Sequence, residues 1–388
     1  MNCITASKPR IQSIDLLRGL VMVIMTLDHV RDFFHHDSMV IDPTDLTRTN
    51  LPLFATRWIT HFCAPVFMLL SGTSAFIAGQ RKTKKELSVF LLTRGAWLIF
   101  LELTIIGFGW SFHFDLHSYG LLVIWALGAS MLVLSALIWL PFFAILCIGL
   151  LLVCGHNMLD TTHVPGNGLE SLGWMMLHDR GNTTVGSINI FVMYPIMPWV
   201  GVMALGYCLG KLYTTGFDAT KRKKILFTIG IIAVALFVIL RFINLYGDAS
   251  HWSSQPDPVF TVISFFNVTK YPPSLLYLTM TLGPALIFLA FTEQASGWFS
   301  NIIKVYGRVP MFYYLCHLYL IHLGAIVLSV IQGFQPSDFD KGLPPGYGVN
   351  LGMTYIVWIS VVALLFPLCR WYDRYKSAHK DNKWLSYL

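Results

Sequence analysis

The chain has 388 residues, 55% of them hydrophobic, 14% aromatic and only 12% charged, with a formal net charge of +7. Soluble domains carry about 25% charged residues, so half that share excludes an ordinary soluble enzyme and points to a membrane protein. In such a protein basic residues chiefly set orientation, so the positive balance does not argue for a nucleic-acid partner. Seven cysteines occur without a CxxC, six of them in or beside apolar runs and Cys3 in a tail, which supports neither a zinc motif nor a disulfide framework. The opening MNCITASKPRIQSID does not read as a cleavable signal peptide.

Each membrane helix needs about 20 apolar residues. Ten apolar spans follow along the chain, near 11–30, 58–80, 87–108, 119–139, 141–155, 189–212, 224–242, 272–292, 306–331 and 350–370. The fourth and fifth meet at Leu140-Pro141 and the fifth is short, so the count is ten or eleven. The expected fold is all-α, a polytopic transmembrane bundle formed by residues 1–388 as one domain. The long polar stretches are 31–57, 156–188, 243–271 and 332–349, rich in Gly, Pro, Asn and Asp as loops are.

If the N-terminus is cytoplasmic, the inner segments hold 19 Lys and Arg and the outer segments 7, with Arg18 inside a span. The asymmetry obeys the positive-inside rule and predicts that both termini are cytoplasmic and the long loops face outward. Histidine has the opposite bias: of 13, only His379 falls on the inner side. Histidine suits proton transfer near neutral pH, so the reactive centre is expected in the outer half.

The densest signal is RGLVMVIMTLDHVRDFFHHD at 18–37, an apolar run ending in Asp28, His29, Arg31, Asp32, His35, His36 and Asp37. Asp15, Arg18 and Glu102 are ionisable groups inside apolar spans, where a charge is costly and usually paired or functional. Asp15 and Arg18 are three apart on one helix face. They form either a simple intrahelical pair or an anion site in which Asp15 orients Arg18. Glu102 is expected to partner Arg18 or another buried cation. Arg18 and His29 are eleven steps apart, about 16 Å and about three turns of helix. That aligns a cationic anchor with a proton-transfer group on nearly one face. Asp28 or Asp32 can hold the second imidazole nitrogen, and Asp32, one turn on, is the better placed.

Further along, NVTKYPPSLLY (267–277) puts Lys270 and Tyr271 at an outer mouth, and GRVPMFYYLCHLYLIH (307–322) gathers Tyr313, Tyr314, His317 and His322 in one span. His317 is either a second reactive histidine or a core histidine bonded to a carbonyl. His29, Asp32 and His36 at i, i+3 and i+7, or His113 and His117 around Asp115, have spacings that a metal accepts. Such spacings arise by chance among 13 histidines and no HExxH accompanies them, so no metal is expected. Small residues at 71–75, and Gly201, Gly206 and Gly210, favour close helix contact.

SIDLLRGLVMVIM (13–25), HFCAPVFMLLSGTSAF (61–76), YPIMPWVGVMALGYCLG (194–210), NVTKYPPSLLYLTMTLGPAL (267–286) and GRVPMFYYLCHLYLIH resemble bacterial membrane proteins related to heparan-alpha-glucosaminide N-acetyltransferase, over nearly the whole chain. The Arg18-x10-His29 spacing also resembles the wider transmembrane acyltransferase superfamily. That resemblance implies an acyltransferase of the cytoplasmic membrane, with acyl-CoA, chiefly acetyl-CoA, drawn from the cytoplasm and an envelope saccharide or other small acceptor on the far side. A homodimer is compatible with it. The resemblance carries Arg18 and His29 as the matched pair. It departs in that the lysosomal enzyme aligns an asparagine with His29 and has its reactive histidine nearer His35 or His36. His29 is favoured because it lies within the helix at the superfamily spacing. Tyr313, Tyr314 or Asn267 are candidates to donate to a developing oxyanion. Two other classes fit the buried charges less well. A proton-coupled transporter or channel usually shows internal repeats, and none is evident; a purely structural protein has little reason to bury Arg18.

Overall fold

The structure, a computed structural model, describes residues 11–38, 40–339, 343–379, 382 and 385. Cys3, Lys8, Arg10, Lys341, Lys380 and Lys383, which entered the counts above, lie outside the described residues.

Helix α1 (Gln12–Phe34) carries Asp15, Arg18, Asp28, His29, Arg31 and Asp32. The apolar run 51–79 is broken into α2 (Leu51–Thr60) and α3 (Cys63–Gly79), with Tyr277 donating its hydroxyl to the His61 carbonyl at the break. Helix α4 (Lys84–Leu101) starts in a reciprocal cap between Thr83 and Glu86. A π-helical turn at Glu102–Ile106 and α5 (Gly107–Ser111) continue it. Then come α6 (Val123–Leu137), α7 (Phe142–Gly155) with a 3-10 turn at His156–Leu159, α8 (Leu169–Leu177), α9 (Met197–Leu209), α10 (Ala219–Ile243) and α11 (Pro258–Phe266). Last are α12 (Leu275–Phe291), α13 (Trp298–Arg308), α14 (Pro310–Ile331) and α15 (Leu351–Ala378). Ser274 and Asn350 cap α12 and α15 by accepting the N–H of Tyr277 and Met353.

A helix lies in each of the ten apolar stretches, but their limits differ from the expected ones. Among the described residues, six helical segments are long and apolar enough to cross a membrane: Leu51–Gly79, Lys84–Ser111, Phe142–Leu159, Ala219–Ile243, Pro310–Ile331 and Leu351–Ala378. Exposed Phe227, Ile231, Ile239 and Phe242 on α10, and Ile356, Ile359 and Leu364 on α15, form apolar faces suited to lipid.

The all-α expectation needs one correction. Strands β1 (Ser118–Leu121), β2 (Gly181–Val185) and β3 (Ile188–Val192) form a sheet in the order β1-β3-β2. The β1/β3 pair is parallel and β2/β3 is a hairpin turning at Gly186, whose φ of 62° favours glycine. Two stretches read as the starts of helical spans, at 119 and 189, are therefore extended.

One continuous core links α1, α3, α4, α6, α9, α12, α14 and α15. Helices touch where glycine removes the side chain. A Cβ on Gly19 of α1 would overlap the Ile303 carbonyl oxygen of α13, and one on Gly307 would overlap the Asp15 carbonyl oxygen. The same backbone contact joins α3 to α9 through Gly72 and Gly206.

Candidate active site

The close approach of α13 to α1 sets the Arg18 end of the site. Arg18 donates to the Gly307 carbonyl (3.2 Å) and to Ser74 Oγ (2.9 Å), and lies 3.6 Å from Asp15. Asp15 also faces Arg308 at 3.8 Å, and Arg308 meets Asp373 at 3.2 Å. Arg18, Arg94, Arg308 and Lys376 line a cavity of about 390 Å³ whose walls are otherwise largely apolar. Its lining follows α1 from Arg18 through Met22 to Met25, about 10 Å of rise. Tyr314 of α14 also lines it.

One turn beyond Met25 stands His29. Its ring meets Tyr314 edge-on at 5.9 Å and Trp110 at 5.0 Å, and lies nearly parallel to His317 of α14. His29 Nδ1 is 2.7 Å from His317 Nε2, and His317 Nδ1 is 2.9 Å from the Tyr313 carbonyl oxygen. A carbonyl only accepts, so His317 carries its proton on Nδ1 and offers a lone pair at Nε2. His29 therefore donates from Nδ1 and keeps its own lone pair on Nε2, the arrangement of an oriented base.

The carboxylates expected to orient His29 do something else. Asp28 accepts from Arg57 Nη1 at 2.9 and 2.7 Å, lies 2.9 Å from Arg31 and 3.9 Å from Lys270 Nζ. Asp32 pairs with Arg31 at 2.6 Å. Both carboxylates neutralise cations, and the imidazole's partner is a second imidazole. Glu102 also departs from expectation: its Oε2 accepts the backbone N–H of Trp125 at 2.9 Å, near the start of α6, rather than meeting Arg18. The Tyr313 hydroxyl is engaged as well. Thr26 donates to the Met22 carbonyl, so Tyr313 donates to Thr26 at 2.6 Å.

His35 and His36 are held away from His29 by the end of α1. His35 bridges to Val349 and accepts the Asp37 N–H at Nδ1 (3.2 Å); His36 donates from Nδ1 to the Val349 carbonyl (3.0 Å). Burial, with the neighbouring His36, holds His35 below the ordinary histidine value, and Asp37 offsets this only in part. Lys270 and Tyr271 do not join Arg18. They line a second cavity of about 520 Å³ with Arg31, Arg57, His61, Arg180 and Asn267. A third, of about 510 Å³, is lined by Trp110 together with Glu102, Phe108, Phe114, Asp115, Tyr119, Asn182, Asn189 and Phe191. Neither histidine set weighed for a metal comes together. Among the described residues the groupings with metal-ligand spacing are His35/His36/Asp37 and His156/Asp160/His178.

Sequence reasoning missed Arg57, Arg94, Arg308, Lys376 and Trp110. Arg94 carried the same signal as Arg18, a cation within a largely apolar run; the others become visible only when helices distant in sequence meet.

Fold and site together define a helical membrane protein in which a buried histidine pair stands beyond a cation-lined cavity. Residues 10–247 match the family model for heparan-alpha-glucosaminide N-acetyltransferase, catalytic. That match covers well over half of the chain, which belongs to this family of transmembrane acetyltransferases. No curated protein matches the chain. The matched stretch contains Asp15, Arg18, Asp28, His29, Asp32, His35 and His36; Lys270, Tyr271, Tyr313, Tyr314 and His317 lie beyond it.

Proposed function

We propose that the protein moves an acetyl group from cytoplasmic acetyl-CoA to an amine or hydroxyl of an envelope saccharide on the other side of the cytoplasmic membrane. The continuous main core, running from Ile14 to Tyr372, supports one catalytic domain. In this proposal the chain crosses the membrane ten times with both termini inside. The observation that carries the reading is the alignment along α1 of the Arg18 cavity, Tyr314 and the His29–His317 pair.

The phosphates of the donor sit among Arg18, Arg94, Arg308 and Lys376, and the pantetheine arm lies along the apolar wall toward Tyr314. The acceptor occupies the cavity lined by Trp110, where aromatic faces stack on sugar C–H groups and Asn182, Asn189 and Asp115 supply polar contacts. His29 Nε2 takes the acceptor's proton as its oxygen or nitrogen attacks the thioester carbonyl carbon. The C–S bond breaks, and the thiolate of CoA leaves with the proton held by His29. His317 accepts the His29 Nδ1–H bond throughout and supports the transient imidazolium. Tyr314, which lines the donor cavity and meets the His29 ring, donates its hydroxyl to the oxyanion.

Inside-out vesicles given acetyl-labelled acetyl-CoA test this. Label is expected in the lumen in ester or amide linkage, with CoA thiol released outside. Proton or ion flux without acetyl transfer would instead favour a transporter.

A further inference from the structure

Away from the histidine pair, the 3-10 turn after α7 and the end of α8 bring His156, Asp160 and His178 together. Each offers one donor atom, and the three atoms lie within 4.8 Å of one another. His156 is 2% exposed and His178 fully buried. Among the described residues, both ring nitrogens of His156, and Nδ1 of His178, find no hydrogen-bond partner. A buried imidazole with neither nitrogen satisfied is costly, because the group loses its hydration and gains nothing in return.

The carboxylate is already divided between two tasks. Asp160 Oδ2 accepts from Asn157 Nδ2 at 2.8 Å, while Asn157 Oδ1 is itself fixed by the Leu275 N–H at 2.9 Å. Oδ1 is left facing His178 Nε2 at 3.2 Å. Donors about 2.0–2.1 Å from a tetrahedral zinc ion stand about 3.3 Å from each other, so this pair already has the separation of two zinc ligands. Two imidazoles and a carboxylate with a hydrogen-bonded second oxygen form an N/O donor set suited to zinc. Asp160 and His178 also border a cavity of about 300 Å³, which leaves room for a water or substrate group in a fourth position.

We propose that His156, Asp160 and His178 bind a divalent transition metal, zinc by preference, that clips the segment after α7 to the end of α8. The sequence drew no attention to this trio because His178 is 18 residues from Asp160 and only folding brings them together.

The test uses the full chain purified in detergent, stripped of metal and titrated with Zn²⁺ against a competing chelator, and with Co²⁺ as a spectroscopic probe. One equivalent of Zn²⁺ per chain and the d–d bands of four-coordinate Co²⁺ are expected. His156→Ala and His178→Ala should abolish that site, Asn157→Ala should weaken it about 10-fold through the carboxylate it orients, and His251→Ala, an exposed histidine, should leave it unchanged. Wild-type protein that gives no four-coordinate Co²⁺ spectrum would overturn the proposal without reference to any variant. So would one equivalent of bound Zn²⁺ that survives in both folded histidine variants.

Discussion

His29 Nδ1 lies 2.7 Å from His317 Nε2, so the His29 ring is aligned by a second histidine and not by a carboxylate. The pair is ordered by the Tyr313 carbonyl, which fixes the His317 proton on Nδ1. In the proposed function His317 is a positioning residue, acting through His29. His317→Gln, whose amide oxygen can still accept from His29, should retain more acetyl transfer than His317→Leu. His317→Leu should lose about 10²-fold or more in kcat, at the lower end of general-base effects. The two variants should also differ in the pH profile of kcat, which a loss of packing alone would not move. Equal activity in Gln and Leu variants would rule out the positioning role.

Arg18 takes part in both the α1–α13 contact and the lining of the apolar cavity. Removing a charged hydrogen-bond partner costs about 1.5–3 kcal/mol, or about 10–100-fold in affinity. Arg18→Gln should therefore raise KM for acetyl-CoA by that factor while kcat falls less. A kcat loss with KM unchanged would place Arg18 outside the donor site.

The backbone contact of Gly19 with Ile303 and of Gly307 with Asp15 leaves no space for a methyl group. Gly19→Ala and Gly307→Ala should each destabilise the protein by about 1–3 kcal/mol, the usual scale of overpacking. Gly173→Ala, where no described residue lies within 4 Å of a new Cβ, should be neutral or slightly stabilising. Thermal unfolding in detergent compares the three. Melting of all three at the wild-type temperature would contradict the tight contact.

Burial lowers His35 from 6.5. The unfolded chain then binds more protons than the folded one between the two values, so this contribution to stability is complete above pH 6.5 and is lost as pH falls through the folded value. Thermal midpoints measured from pH 8 to pH 5 should fall less steeply in His35→Gln than in wild type. Parallel slopes would show that His35 is not the group responsible.

Much of this was legible in the sequence, and the failures share a cause. The Arg18–His29 alignment follows from helical rise alone, and the apolar runs locate the helices because lipid-facing and core-facing positions are both hydrophobic. Partner choice was not legible. Local spacing favours Asp32 as the partner of His29, yet Arg31 stands beside Asp32 and takes it first, at 2.6 Å. Arg57, on a separate helix, takes Asp28. Helix periodicity also conceals the break at His61, where one apolar run becomes two helices, and the extended starts at 118–121 and 188–192, whose alternation is too short to stand out. Glu102, at the start of a π-helical turn, likewise meets a partner distant in sequence, the Trp125 N–H, rather than an ion pair.

The most direct measurement follows acetyl label from acetyl-CoA into luminal acceptor in inside-out vesicles carrying wild type, His29→Ala or His35→Ala/His36→Ala. Transfer should fall about 10²–10⁴-fold in His29→Ala and persist in the double variant. Full transfer in His29→Ala, with loss only in the double variant, would contradict the assignment and move the base to the end of α1.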